Sequence, residues 1–168
     1  PRKEISGTDL PYRIFDLINE AYSPLFGYSK MSKRQVDQYV KTYFPLLDMR
    51  MISIVEDANN EIVAVGGLIP SHSRALQKAH GKLFPFGWFH LLKALFIKHS
   101  DVLDLLLVGV KPEYQSKGVN ALLFADLIPA YVKMGFRYGE TNPELEENEK
   151  VQTQWKYLKS ETHKRRRC

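Results

Sequence analysis

One stretch of the sequence decides the fold: Leu105-Leu-Leu-Val-Gly-Val-Lys-Pro-Glu-Tyr-Gln-Ser-Lys-Gly-Val-Asn120. Its apolar beginning predicts a buried strand, a short loop follows, and an apolar pattern of helical character starts directly after that loop. The first N–H groups of a helix have no partner inside the helix, and the helix dipole favours an anion at that end. The stretch therefore predicts a strand–loop–helix unit that binds phosphate on its backbone.

The loop has the spacing Q-x-x-G-x-N, formed by Gln115, Gly118 and Asn120. It is neither the triphosphate loop nor the dinucleotide fingerprint. It resembles the acyl-CoA pyrophosphate loop of the GNAT superfamily of N-acetyltransferases, Q/R-x-x-G-x-G/A, and departs from it at Asn120. That asparagine either crowds the phosphate or serves as a polar partner in the first helical turn. The resemblance implies acetyl-CoA or another acyl-CoA as cosubstrate, with its pyrophosphate on Gln115, Ser116, Lys117, Gly118, Val119 and Asn120.

The strand before the loop, 102–110, contains Gly109. A glycine inside a strand indicates a bulge or a close ligand approach. In GNAT proteins the fourth strand has such a bulge, the neighbouring strands splay there, and pantetheine pairs with the open edge. The resemblance thus implies that Val108, Gly109 and Val110 contact pantetheine.

The segment from Val119 to Met134 is apolar nearly all round, which is typical of a helix packed under a sheet. Pro129 removes one helical hydrogen bond and kinks the axis, and Gly135 suits a C-terminal cap. A fifth strand of the family's fold is predicted over 136–142, and an extended loop follows it because a residue before proline avoids the helical region.

Asn148 is predicted to begin the next helix as its N-cap. Here the sequence resembles the GNAT pattern N-x-x-A-x-x-x-Y, matched by Asn148, Val151 and Trp155. The asparagine of that pattern commonly contacts the CoA arm, and its tyrosine often protonates the departing thiolate. Trp155 cannot donate that proton, and Tyr157 would face elsewhere on a helix.

The N-terminal third predicts two helices and a hairpin. Apolar residues recur at helical spacing over 10–22, and a clearer stripe over 36–44 follows a Ser32 cap. We interpret the tyrosines and phenylalanines on these helices as core, except that those near 24–28 could instead wall an acceptor cleft. Strands on either side of the turn at 57–60 complete the hairpin.

The element order is helix, helix, hairpin, strand, helix, strand, helix and a final strand at His163–Cys168, which is the order of the GNAT fold. We therefore expect one α/β (α+β) domain over 1–168, trimmed at both ends. Its central mixed, mostly antiparallel twisted sheet is flanked by helices. A helical insert, 71–100, lies between what the family counts as the third and fourth strands.

The insert is predicted to contain two helices, one from Ser71 to His80 stopped by Gly81 and one from Phe86 or Gly87 to Lys98. The aromatic residues of 83–89 between and within them either pack the insert onto the domain or line an apolar acceptor or acyl pocket. We favour packing for most of them. The insert is expected to cover one side of the acceptor cleft.

Several longer phrases resemble a poorly characterised bacterial family in which a GNAT-like domain forms the C-terminal half of a longer protein. They are Gly66-Gly-Leu-Ile-Pro70, Gly81-Lys-Leu-Phe-Pro-Phe-Gly87, Gly109-Val-Lys-Pro-Glu-Tyr-Gln115 and Leu145-Glu-Glu-Asn148. The likeness implies a fold but names no acceptor.

Composition restricts the class of protein. With 168 residues, 44% of them hydrophobic, the chain can bury a sizeable core. No apolar run approaches the roughly 20 residues that span a bilayer. The single cysteine, Cys168, excludes an internal disulfide framework and fits a reducing cytoplasm. No cluster of Cys and His has metal-ligand spacing, so no metal is expected.

The net charge of +5 would favour the phosphates of CoA and of nucleic acid equally. The basic run 163–167 contributes to it, and we interpret this run as a solvated edge strand rather than a functional tail. Nucleic-acid modules usually interleave aromatic with basic residues or carry a recognised motif. Neither is present, so nucleic acid is disfavoured as a partner.

The resemblance implies direct attack of an amine on the thioester, with the oxyanion stabilised by a backbone N–H of the bulged strand. A base must take the proton of the amine. Our first candidate is Glu140, for which a structural ion pair is an equally good explanation. His72 and Asp104 are the other candidates, although a histidine like His72 is more often a surface or capping residue.

Three function classes follow. The first is an acyl-CoA-dependent N-acyltransferase acting on a small-molecule or peptide amine. The second is a catalytically quiet acyl-CoA-binding or regulatory domain, which Asn120 and Trp155 favour. The third is a basic module that binds nucleic acid or a partner. Nothing in the sequence specifies an oligomeric state.

Overall fold

The computed structural model describes residues 9–44, 47–82, 84, 86–96, 100–146 and 148–166. Six α-helices and four strands lie in these ranges. In chain order they are α1 (Leu10–Tyr22), α2 (Lys33–Tyr43), β1 (Ile52–Glu56), β2 (Ile62–Pro70), α3 (Ser73–Lys78), α4 (Gly87–Phe96), β3 (Val102–Val110), α5 (Val119–Lys133), β4 (Tyr138–Glu140) and α6 (Glu149–Gln154).

The strands form a single mixed sheet in the order β1-β2-β3-β4. The first three strands pair antiparallel, and β4 pairs parallel with β3. The β1–β2 turn is stabilised by the Asp57 carboxylate, which accepts hydrogen bonds from the N–H groups of Asn59 and Glu61 at 2.8 and 2.9 Å. The predicted hairpin and the mostly antiparallel sheet are confirmed.

Helices cover both faces of the sheet. On one face α1 places Ile14, Leu17 and Ile18 against β2. On the other face α5 places Leu127 and Tyr131 in a second core cluster, where the Tyr131 hydroxyl donates to the Met51 carbonyl at 2.8 Å. Burial of that hydroxyl raises the pKa of Tyr131 to about 12. The strand β2 is consequently buried on both sides over most of its length.

Local signals fix several helix ends. Ser32 caps α2 in a capping box with Gln35, as predicted. Pro129 lies inside α5, which continues to Lys133, so the proline does not stop the helix. Gly135 then adopts a left-handed φ of 90°, the conformation that commonly ends a helix.

Three predictions, two about strands and one about burial, need correction. Residues 163–166 form no strand. The side chains of His163 and Lys164 instead contact the carboxylate of Glu140 on β4. The rest of that predicted strand, 167–168, lies outside the described residues. The fifth strand is shorter than 136–142 and covers Tyr138–Glu140 alone.

The tyrosines of α2 are the third correction. Tyr39 and Tyr43 are about half exposed, so they are not core residues. Their rings stack on each other with centroids 5.4 Å apart. The helical stripe therefore marks an aromatic surface on α2, while Val36 supplies the buried contact.

The insert contains the two expected helices, and the first of them is shorter than predicted. The first, α3, ends at Lys78, because His80 and Gly81 both take left-handed conformations. The second, α4, spans Gly87–Phe96, and its predicted extension to Lys98 lies outside the described residues. The start of α4 lies close to the backbone that follows α3, because a Cβ on Gly87 would clash with the Lys82 carbonyl oxygen.

Candidate active site

The sheet opens between β3 and β4. Parallel pairing joins 102–104 to 138–140 and ends where Asp104 stands opposite Glu140. Just past this point, the Asn142 side-chain amide donates to the Leu105 carbonyl at 2.8 Å. Within the described chain no strand pairs with β3 on this side beyond Asp104, so the following residues of β3 present an open edge.

A bulge lies at the start of that open edge. The β2–β3 register pairs Gly67 with Leu107 but Leu68 with Leu105, which makes Leu106 the extra residue. For Gly109 the sequence left open a bulge or a close ligand approach, and the bulge lies at Leu106 instead. Gly109 is required for a different reason, since a Cβ there would lie 2.8 Å from Ile18 of α1. The close approach at Gly109 is that of a helix.

The alternation of an antiparallel strand shows in which direction the backbone N–H and C=O groups of the open edge point. The Lys111 N–H donates to the Val63 carbonyl of β2 at 2.9 Å. Because the N–H and C=O groups of successive strand residues point to alternate sides, those of Val108 and Val110 point away from β2. The Val108 carbonyl accepts the Tyr22 hydroxyl at 2.8 Å, and the Val110 carbonyl accepts the Gln115 side-chain amide at 3.2 Å. The edge therefore presents polar backbone groups next to the loop that follows it.

Tyr22 is a site residue that the sequence did not reveal. Its hydroxyl lies on the open edge although its ring belongs to the last turn of α1. Burial raises the pKa of Tyr22, so the hydroxyl stays protonated and donates. The ring also packs edge-on against Tyr28, with centroids 5.7 Å apart. The helical spacing of Tyr22 indicated burial but contained no signal for a contact with β3.

The loop after β3 has the geometry of an anion site. Ser116 and Gly118 both have left-handed backbones, with φ of 61° and 78°. Such a bend turns successive N–H groups towards one side, as in backbone nests that hold anions. Gly118 is the N-cap of α5 and makes no side-chain capping bond. A Cβ on Gly118 would meet nothing within 4 Å, so the space beside the loop is open.

Asn120 faces α6. Its side-chain amide donates to Gln154 at 3.2 Å, which ties the first turn of α5 to α6. Of the two alternatives that the sequence left open, the polar-partner role fits this geometry. Lys117 extends over the Tyr114 ring, with its ammonium 5.4 Å from the centroid.

Asn148, which the resemblance links to the CoA arm, is the N-cap of α6. Its side-chain oxygen accepts from the N–H of Val151 at 3.4 Å. Trp155 donates its indole N–H to the Glu144 carboxylate at 2.9 Å and packs against Phe124 of α5. The segment from Asn148 to Trp155 therefore lies alongside α5.

Two of the candidate bases meet at the strand opening. Leu103 packs in the α5-side core, so the next residue, Asp104, faces the α1 side. Glu140 stands beside Asp104 in register and so faces the same side. Glu140 binds the Lys164 ammonium at 2.6 Å and lies 3.5 Å from His163. The hydrogen bond from Lys164 is the largest of the effects that lower the pKa of Glu140.

His72 lies apart from this pair. It follows the end of β2 and precedes α3, beside Ser71, whose N–H donates to the Val102 carbonyl at 2.9 Å. Its Nδ1 is buried without a hydrogen-bond partner among the described residues. The structure thus brings Asp104 and Glu140 together at the opening and places His72 at the root of the insert.

The splayed strand edge, the bulge and the loop at a helix N-terminus belong to a fold of known type: the chain has the fold of GNAT acetyltransferases. AAC(6')-Iy, solved in complex with the bisubstrate analogue CoA-S-monomethyl-acetylneamine, is similar over 94% of this chain and 92% of that one. Its TM-score is 0.56 at 16% identity. Glucosamine-6-phosphate N-acetyltransferase from Arabidopsis thaliana gives a TM-score of 0.57 at 11% identity, covering 94% of this chain and 92% of that one.

One relative is similar in sequence. The chain is 26% identical over 130 residues to a bacterial ceramide synthase of Caulobacter vibrioides, a match that covers 77% of this chain and 34% of that protein. The chain thus spans about a third of the length of this relative. No protein-family model matches the sequence.

Two further properties concern only the described part of the chain. None of its helices combines the length and the apolar character needed to cross a bilayer. Its His, Cys, Asp and Glu side chains form no group of three or more that could hold a metal ion.

Proposed function

We propose that this domain transfers an acyl group from an acyl-CoA to a primary amine. The observation that carries the proposal is the continuous path from the open edge at Val108 and Val110 into the left-handed loop around Gly118. Pantetheine resembles a short peptide, and its amides suit an unpaired strand edge. The pyrophosphate suits the N–H groups at the start of α5. The bound CoA analogue of AAC(6')-Iy supports this assignment.

In the proposed complex the predicted loop residues have separate roles. The N–H groups from Ser116 to Asn120 hold the pyrophosphate, while Gln115 braces the end of β3 through Val110. Gly118 leaves room for the phosphate because it has no side chain. Asn148 caps α6, and this cap orients the helix beside the CoA arm.

The reaction begins with a neutral amine, whose nitrogen attacks the thioester carbon. A tetrahedral intermediate forms, its oxyanion is stabilised by backbone N–H groups of the bulged strand, and the C–S bond breaks to release CoA thiolate. Glu140 and Asp104 face the α1 side at the opening, where a carboxylate can accept the proton of the amine. The hydrogen bond from Lys164 lowers the pKa of Glu140, so Glu140 is ionised but is a weaker base than an unpaired glutamate. His72 is the second candidate base.

The acceptor class is proposed from the sequence relative. A ceramide is a long-chain amino alcohol acylated on its nitrogen, and the similarity to a bacterial ceramide synthase covers 77% of this chain. We therefore propose a long-chain amine as acceptor and a fatty acyl-CoA as donor. The exposed aromatic side chains of the insert suit such an apolar acceptor.

A catalytically quiet CoA-binding domain is the second candidate. It is favoured by Trp155, which occupies the position of the family's proton-donating tyrosine and donates its N–H to Glu144. A thiolate can leave without a protein acid, because its pKa lies near that of an ordinary thiol, about 8.5. The missing tyrosine therefore weakens the case for catalysis without excluding it.

The experiment has two arms. Thermal unfolding with and without CoA, acetyl-CoA and palmitoyl-CoA tests binding. Release of free thiol from each acyl-CoA is then followed with ethanolamine, a polyamine, a lysine peptide and a long-chain amino alcohol. Thiol release with the long-chain amine supports the full proposal. Stabilisation by CoA with no thiol release from any amine would identify the quiet domain, and no stabilisation at all would reject both.

A further inference from the structure

The insert carries positive charge that no acidic residue within it balances. Residues 71–100 contain 5 of the 24 Lys and Arg residues and none of the 19 Asp and Glu residues. The remaining 19 basic and 19 acidic residues balance, so the insert has a net charge of +5, equal to that of the whole chain. The segment also contains 4 of the 5 histidines.

The same segment exposes large apolar side chains. Phe84 and Phe86 are 79% and 73% exposed, and Phe89 is 53% exposed. Further exposed apolar side chains in the insert are Leu76, Trp88 and Leu92. We expected most of these aromatics to pack the insert onto the domain, and that expectation is wrong for Phe84, Phe86 and Phe89. Contiguous exposed apolar side chains on the surface of a domain mark an interaction surface.

Between the two insert helices lies an open cavity of about 680 Å³. Its lining residues carry basic or amide groups and no carboxylate: Arg74, Gln77, Lys78, His80 and His90. Arg74 also pairs with Asp101 at 3.5 Å, which holds one wall of the cavity at the start of β3. A guanidinium, an ammonium and an amide around one opening suit a phosphate group.

We infer that the insert docks the domain on the surface of a bilayer that contains anionic lipids. Lipid phosphates occupy the basic cavity, and Phe84 and Phe86 enter the boundary between headgroups and acyl chains. This combination of aromatic and leucine side chains with lysines is typical of segments that lie in a membrane interface. Leu76 and Leu92 provide no stacking surface for bases, so nucleic acid fits the patch less well.

The root of the insert adjoins the candidate active site. The insert starts directly after Pro70, which pairs with Leu103, and its first residue is bonded to Val102. Asp104 lies one residue further along β3. A domain docked by its insert would hold the strand opening close to the bilayer, where a long-chain amine is dissolved. The docking itself does not depend on the proposed acyl transfer.

Vesicle sedimentation, with neither amine nor CoA present, tests the inference. The probes are vesicles of phosphatidylcholine alone and of phosphatidylcholine with roughly one third phosphatidylglycerol. The variants are Phe84→Ser with Phe86→Ser, and Lys78→Glu with Lys82→Glu. The control, Lys156→Glu with Lys159→Glu, makes the same charge change outside the insert. Because all these positions are exposed, the substitutions should leave the thermal unfolding temperature unchanged. This measurement verifies that each variant is folded.

We expect binding to the anionic vesicles, reduced about tenfold or more in both insert variants and less than about threefold in the control. Absence of binding to anionic vesicles would overturn the inference. So would equal losses in the control and in the charge variant, which would show a response to net charge alone. A concentration-dependent dimer abolished by the Phe84 and Phe86 substitutions, without vesicle binding, would assign the patch to a second copy of the chain.

Discussion

The two ends of β3 are built on different principles. At the proposed CoA end, residues 108–120, the groups that meet the proposed ligand are backbone groups. Tyr22 holds the Val108 carbonyl, and the Gln115 side chain holds the Val110 carbonyl. At the insert end, the available groups are side chains: exposed aromatics and a cavity lined by Arg74 and its neighbours. Backbone geometry is shared by every chain of a fold, whereas exposed side chains are particular to one sequence. The first end therefore supports the class of reaction, and the second supports the choice of acceptor.

The largest effect is expected at the CoA end, from Gly118→Glu. The substitution places a negative side chain in the open space where the pyrophosphate is proposed to lie, on a backbone with φ of 78°. We expect acyl-CoA affinity measured by calorimetry to fall about 100-fold or more, since charge repulsion and lost backbone hydrogen bonds act together.

Gly135→Glu is the matched control, because Gly135 has φ of 90° and open surroundings at the other end of α5. Both variants introduce the same backbone strain and the same charge. Equal affinities in the two variants would show that the loop around Gly118 does not bind the cosubstrate.

The second effect concerns the packing that supports the open edge. Gly109→Val should lower the free energy of unfolding by about 1–3 kcal/mol, because the new Cβ would lie 2.8 Å from Ile18 and 3.2 Å from Leu17. The measurement is urea unfolding. Gly139→Val is the control on β4, where a Cβ would contact Leu68 at an ordinary 3.7 Å. If both variants are equally stable, α1 does not constrain β3 as described.

How much of this the sequence predicted depends on how local each signal is. The Ser32 cap, the Asp57 turn and the Asn148 cap depend on residues within four positions, and all three were predicted. The bulge at Leu106 depends on its register with β2, a segment far away in the sequence, so Gly109 did not mark its position. Likewise, no local pattern shows that Lys164 pairs with Glu140 instead of extending a strand.

The third effect is that of Glu140→Gln on the acylation rate. If Glu140 accepts the proton of the amine, we expect a loss of about 10²-fold near neutral pH with acyl-CoA affinity nearly unchanged. Lys164 lowers the pKa of Glu140, so the ionised form persists to pH values below the ordinary glutamate range. Any stability from this pair is present above the unfolded pKa and is lost as pH falls through the folded pKa.

Lys164→Met separates the catalytic from the structural explanation. Without the ammonium, the pKa of Glu140 rises, and the acid limb of the rate profile should move to higher pH. Unfolding is measured in parallel, because the pair is largely exposed and should contribute little to stability. If Glu140→Gln lowers stability without a specific rate defect, the carboxylate is structural.

The smallest effect is expected at the insert end, from Trp88→Ala. Trp88 is 44% exposed on α4 and packs edge-on against Phe89, so its removal should disturb the apolar surface rather than the core. If the insert covers one side of the acceptor cleft, apparent affinity for a long-chain amine should fall several-fold, about 1 kcal/mol. Affinity for acyl-CoA and for ethanolamine should stay the same. Tyr157→Ala removes an aromatic outside the insert that is more exposed than Trp88, and is the control. An apolar surface distinguishes amines by chain length. If the apparent affinities for the long-chain amine and for ethanolamine fall equally, the insert does not select the acceptor.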